Sequence, residues 1–262
     1  PMAGRSVDGD HRRGRATRRQ AAIAVTAALL LGVSCSGSGG SETRHDREVV
    51  VMAASSLTDV VEAVASSDPN VTAILSGSST LVAQLSAGAG ADVLITADAA
   101  TMDRATADGS IRGKPVVIAT NTVVLATAPG NPGGVAGLAD LARRDLLVGL
   151  CAPEVPCGTL ARRALDEAGI VPSVDTLELS VRALAAKLSL GELDAGLVYD
   201  TDAAVVGLSR VDAPELDGHA NRYFIASASA EPSPAVQAVM DAFTETGGAG
   251  AEALLAHGFG PP

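Results

Sequence analysis

Tryptophan is absent, and aromatic residues make up 2% of the 262-residue chain, two tyrosines and three phenylalanines. A site that stacks rings on nucleobases or sugars therefore has almost nothing to work with. Ala, Val and Leu must fill the core. Histidine is scarce as well: His11, His45, His219 and His257 are scattered, and none sits near a serine motif or at ligand spacing from the cysteines. A serine hydrolase thus lacks its base, and there is no Gly-x-Ser-x-Gly turn to expose a nucleophile. No acid–base pair emerges, so an enzyme is not expected. The lack of a helix-turn-helix counts against the ligand-sensing half of a transcription regulator. Basic residues are outnumbered 19 to 30, for a net charge of −11.

What is present begins with a targeting pattern. Arg12, Arg13, Arg15, Arg18 and Arg19 precede an apolar run, 21–31, that ends in Gly32-Val33-Ser34-Cys35. That order belongs to a signal peptide, and the run is shorter than the ~20 residues of a membrane span. A cysteine after small residues resembles a bacterial lipoprotein signal, which would make Cys35 the lipidated first residue. Leu31 stands four residues before it, where the common pattern has three. The Arg18-Arg19 pair leaves twin-arginine export open beside the general secretory route. Residues 1–35 are read as the signal, and 36–47, rich in Ser, Gly and charge, as a flexible tether.

Without the signal's six arginines and two aspartates, 13 basic and 28 acidic residues remain, net −15. Nucleic acid and anionic lipid surfaces are poor partners for that field. An anionic ligand would have to be held by local dipoles. Two cysteines remain besides Cys35, namely Cys151 and Cys157, separated by Ala-Pro-Glu-Val-Pro. An extracytoplasmic compartment permits a disulfide between them, while the two prolines leave the geometry open. No metal site and no cofactor are expected.

The rest alternates buried-strand runs with helical spacing, the signature of α/β architecture. Val49 to Met52 reads as a strand, and Ser55-Ser56 turn it into a helix with Leu57, Val60, Val61 and Val64 on one face. Val71 to Leu75 leads through Ser76-Gly77-Ser78-Ser79-Thr80 into Leu81, Val82 and Leu85. Pro156-Cys157-Gly158-Thr159 and Ser180 open two further helices. Small residues at a helix start serve as N-caps, but they also leave backbone N–H groups open to an anion. Four such starts at the carboxyl ends of strands lie where open α/β sheets bind ligands. Val116 to Ala119 reads as a strand, and Asn121 to Thr127 as an extended crossing before the break at Pro129-Gly130. Gln84 to Gly88 followed by 91–100 is echoed by Lys187 to Gly191 followed by 194–204, an offset that suits two similar lobes. Lobe 1 is placed at 48–122 with 222–262, lobe 2 at 126–218, joined by two crossing segments.

Ala53-Ala54-Ser55-Ser56-Leu57-Thr58, Gly77-Ser78-Ser79-Thr80-Leu81, Gly90-Ala91-Asp92-Val93, Val155-Pro156-Cys157-Gly158 and Gly196-Leu197-Val198-Tyr199 together resemble the molybdate-binding proteins of bacterial ABC importers. The resemblance covers about 48–260. It implies a two-lobe type II periplasmic-binding-protein fold, each lobe a mostly parallel sheet flanked by helices, with a molybdate or tungstate ion between the lobes. Carried over motif by motif, the ligand contacts fall on the hydroxyls of Ser56, Ser78 and Tyr199 and on the backbone N–H groups of Cys157 and Val181. The implied partners are an ABC permease and its ATPase, and the binding protein itself is expected as a monomer. Sulfate or phosphate stands as the alternative ligand, because a fold does not fix its ligand. A dianion taken out of water needs many donors and no acceptors. Asp200, next to Tyr199, is read as pointing away by strand alternation.

Overall fold

The computed structural model describes residues 48–262. The signal, the tether and Cys35 lie outside the described residues. From Glu48 the chain runs through β1 (Val49–Ala54), a 3-10 turn (Ser55–Leu57), α1 (Thr58–Ser67), β2 (Val71–Ser76), α2 (Ser78–Ser86), β3 (Val93–Thr96) and α3 (Ala99–Ala107). Next come β4 (Val116–Thr127), β5 (Val148–Cys151), α4 (Pro156–Glu167), β6 (Val174–Glu178), α5 (Val181–Ser189), β7 (Ala195–Tyr199) and α6 (Asp200–Val205). The last elements are β8 (Ser209–Val211), β9 (Ala220–Ser227), α7 (Pro234–Thr244) and α8 (Ala249–Ala256).

Apolar spacing accounts for the helices. Val60, Val61 and Val64 of α1 are buried, as are Val181, Leu184, Ala185 and Leu188 of α5, the i, i+3, i+4, i+7 rows expected of helices lying on a sheet. Pro234 sits in the first turn of α7, where its missing N–H costs nothing, and Ser233 caps that turn by accepting from the Val236 N–H. Gly88 and Gly191 follow α2 and α5 at φ of 96° and 71°, the left-handed exit that a residue with a Cβ adopts only at a cost. They are the two glycines of the internal echo. The echo diverges one step later: Asp98 caps α3 from outside by accepting from the Thr101 N–H, whereas its counterpart Asp202 lies inside α6 and is fully buried.

The strands form one curled sheet in the order β2-β1-β3-β9-β4-β7-β5-β6, with β8 paired to β4. In the first half, β1 pairs in parallel with β2 and β3; in the second, β5 pairs in parallel with β6 and β7. The α/β reading therefore holds, with an addition at the middle. Val116 to Thr127 is one strand of 12 residues, not a strand followed by a separate crossing. Its first part runs antiparallel to β9, from Val116 opposite Ile225 to Thr122 opposite Ala220, and its second part runs antiparallel to β7, from Val123 opposite Tyr199 to Thr127 opposite Ala195. Thr120 keeps its place because it pairs with Arg222 on one side and bridges Gly260 on the other. A bulge between Val117 and Ala119 absorbs the misfit.

One apolar core, from Val123 to Leu216, lies on the second half of the sheet. Two others cover the two faces of the first half, one including Val51, Leu57, Val61, Ile225 and Phe243, the other Met52, Leu81, Leu94 and Met102. The scarce aromatics are concentrated. Tyr199 meets Tyr223 edge-on at 6.1 Å and Tyr223 meets Phe259 at 5.3 Å, so the two largest fully buried side chains among the described residues sit together on the strands that flank β4.

Candidate functional site

A cavity of about 20 Å³ lies where the carboxyl ends of the strands face the starts of the helices. Ala54, Ser55 and Ser56 reach it from the turn after β1, Gly77 and Ser78 from the start of α2, and Ala97 from the end of β3. Val155, Pro156 and Cys157 reach it from the start of α4, Ser180 and Val181 from the start of α5, and Tyr199 from the end of β7. All five positions assigned by motif, Ser56, Ser78, Cys157, Val181 and Tyr199, are in this lining, each at most 4% exposed. A space this small is on the scale of a water or a compact ion.

The small residues at these helix starts could have been caps. At α2 and α4, and at the 3-10 turn, no side chain accepts a hydrogen bond from the first amides. Only Ser180, at α5, behaves as a cap, accepting from the Ala183 N–H. In α4, Pro156 has no N–H and the Thr159 N–H already donates to the Val155 carbonyl. The open amides there are those of Cys157 and Gly158. At α5 the Ala183 and Leu184 N–H groups are both taken by Ser180, which leaves those of Val181 and Arg182. Helix starts with open amides attract negative charge.

The hydroxyls are oriented by their own partners. Ser78 Oγ accepts from the Ala97 N–H at 3.1 Å, so its proton is free for another acceptor. Ser56 Oγ lies 2.8 Å from the Tyr223 hydroxyl. The Tyr199 hydroxyl accepts from Asn221 Nδ2 at 2.6 Å. Burial, reinforced by the neighbouring Tyr223, pushes the Tyr199 phenol well above the usual tyrosine range, which keeps it a donor. Among the described residues, no Asp, Glu, Lys, Arg or His is in the lining.

Cys151 and Cys157 are joined as a disulfide, Cα to Cα 5.9 Å, which ties the last residue of β5 to the first turn of α4. Gly158 is required for the same junction, because a Cβ there would stand 1.9 Å from the Ala152 carbonyl oxygen. Asp200 points away from the cavity for a different reason than strand alternation. It opens α6, is half-buried, and pairs with Arg210.

Sequence reasoning missed a charged cluster beside the site. Arg182 follows Val181, binds Asp59 of α1, and brings its Nε to 2.7 Å from Asp202 Oδ1. Neither carboxylate oxygen of Asp202 makes an aligned hydrogen bond. Burial, opposed by Arg182 and assisted by Asp59, raises the Asp202 carboxyl to about 7. The available signals were the arginine after the motif valine and the Asp-Ala-Ala echo at 202–204. Neither indicates burial by itself. Asn121, Asn221 and Tyr223 were missed too, since isolated polar residues in extended segments carry no motif.

The sequence profile of the bacterial extracellular solute-binding proteins matches residues 49–260. Over 252 residues the chain is 38% identical to the molybdate-binding protein ModA of Mycobacterium tuberculosis, covering 91% of this chain and 96% of that protein. It is 29% identical over 211 residues to the putative ABC transporter substrate-binding lipoprotein YvgL of Bacillus subtilis, covering 75% and 80%. Among solved structures, the periplasmic molybdate-binding protein of Azotobacter vinelandii superposes with a TM-score of 0.67 at 18% identity, covering 82% of this chain and all of that one. The sulfate-binding protein SubI of Mycobacterium tuberculosis superposes at 0.65 with 16% identity, covering 82% and 87%. Identities this low speak for the fold alone.

Proposed function

The chain belongs to the bacterial extracellular solute-binding protein family, and on that premise we propose that it captures molybdate outside the cytoplasm and delivers it to the permease of an ABC importer. The observation that carries this reading is the lining of the cavity, which sets serine and tyrosine hydroxyls and open helix-start amides among small apolar residues and, among the described residues, includes no carboxylate. A tetrahedral dianion accepts at all four oxygens, so it satisfies such a site, whereas a cation or a ligand rich in hydroxyls would not. Tungstate, of the same charge and geometry, is expected to bind as well. Ser56, Ser78 and Tyr199 donate through hydroxyls, Cys157 and Val181 through backbone N–H groups. We read the protein as one that binds its ligand without transforming it, a reading supported by its solute-binding relatives. We place the anchor at a lipid on Cys35, with the protein working as a monomer beside the permease and ATPase subunits.

Calorimetric titration of residues 36–262 with molybdate, tungstate, sulfate and phosphate tests the reading. Molybdate or tungstate should bind most tightly with one site per chain. Tighter binding of sulfate or phosphate would reassign the ligand.

A further inference from the structure

Two asparagines face each other on the strands that connect the halves of the sheet: Asn121 on β4 is the register partner of Asn221 on β9. Each reaches a tyrosine beside the cavity. Asn121 Nδ2 donates to Thr201 Oγ1 at 2.8 Å, and its amide lies near the Tyr223 hydroxyl, the partner of Ser56. Asn221 Nδ2 lies 2.6 Å from the Tyr199 hydroxyl and 3.2 Å from the Pro156 carbonyl oxygen. A carbonyl oxygen can only accept, so the NH₂ end of the Asn221 amide must face it. The bond to Tyr199 consequently runs one way: Asn221 donates and the phenol oxygen accepts. The single phenolic proton is left for the cavity that Tyr199 lines.

We infer that Asn221 is a positioning residue that fixes the Tyr199 hydroxyl as a donor to the bound anion, and thereby favours fully deprotonated tetrahedral oxyanions over those that carry a proton. This rests on the oxyanion reading above. A protonated oxyanion must itself donate, and a phenol locked as a donor cannot receive that proton. Without the amide, nothing fixes which way the phenol's proton turns, and its lone pairs are free to face the ligand.

The test is a double-mutant cycle read by titration with molybdate on residues 36–262. Asn221→Ala should weaken molybdate binding about tenfold in the parent, but less than about twofold in a Tyr199→Phe background, where no hydroxyl remains to be oriented. The preference for molybdate over phosphate should narrow in Asn221→Ala and stay put in the double variant. Equal losses in both backgrounds would assign Asn221 to general support of the fold, and an unchanged anion preference would overturn its part in selectivity. Thermal melting checks the fold, and Asn221→Val, which suits a strand, takes the place of alanine should that variant not fold. If the parent binds none of the four anions, the oxyanion reading falls and this one with it. If the parent binds and the cycle is additive, only the role of Asn221 falls.

Discussion

At the residue scale, the site depends on where each hydroxyl proton points. Ser78 and Tyr199 each accept from one N–H donor, Ala97 in one case and Asn221 in the other, and each keeps its own proton to offer to the cavity. Ser78→Ala and Tyr199→Phe should each weaken molybdate binding by roughly 1.5–3 kcal/mol, because each strips one hydrogen bond from a desolvated dianion. Ser209→Ala is the control: its hydroxyl accepts from the Gly130 N–H far from the lining, and titration should find affinity unchanged. Parent-like affinity in both site variants, with the fold intact, would place the ligand elsewhere. Ser56 and Ser78 were legible in the sequence because small hydroxyl residues between a strand run and a helix run mark a turn. Asn221 was not, because its importance comes from a neighbour 22 positions away in the chain.

At the element scale, the starts of four helical segments converge on one point, and their closeness depends on a glycine. A Cβ on Gly77 would stand 2.2 Å from the carbonyl oxygen of Leu179, which belongs to the connection between β6 and α5. The β2–α2 turn and the start of α5 can therefore meet only because Gly77 has no side chain. Ser79 Oγ donates to the Glu154 carbonyl across the same seam. Gly77→Ala should hold the two turns apart. In solution scattering, saturating molybdate should contract the parent and leave Gly77→Ala expanded, with affinity at least about tenfold lower, since a ligand shared by two walls stabilises their approach. Equal contraction of the two proteins would show that the turns meet by another route.

At the scale of the whole molecule, β4 runs through both halves of the sheet, and Arg182 adds a charged tie between α1, α5 and α6. Asp202, wholly buried in that tie, has its carboxyl raised from 3.8 to about 7. Between about pH 4 and 7 the folded protein holds a proton that the unfolded chain has released, so this group makes stability fall as pH rises through that window and adds no further change above it. At its steepest the fall approaches about 1.4 kcal/mol per pH unit. Denaturant unfolding of the parent and Asp202→Asn at pH 5 and 8 should show the variant losing less stability between the two. A parent and variant with the same pH profile would mean that Arg182 keeps Asp202 charged throughout.

The alternation of strand runs and helical faces, the small-residue starts and the shortage of bases followed from local sequence, because periodicity, capping and composition are properties of neighbouring residues. They were sufficient for the α/β class, while the five positions that line one cavity came from the resemblance that the motifs carry. Tertiary structure decided what depends on distance: that 116–127 is a single strand because Thr120 finds partners on both sides, and that Asp202 is buried while its counterpart Asp98 caps a helix. It also decided that Asn121 and Asn221 sit opposite each other. Burial, register and the direction of a hydrogen bond are set by residues far apart in the chain, and only the packed molecule brings them into contact.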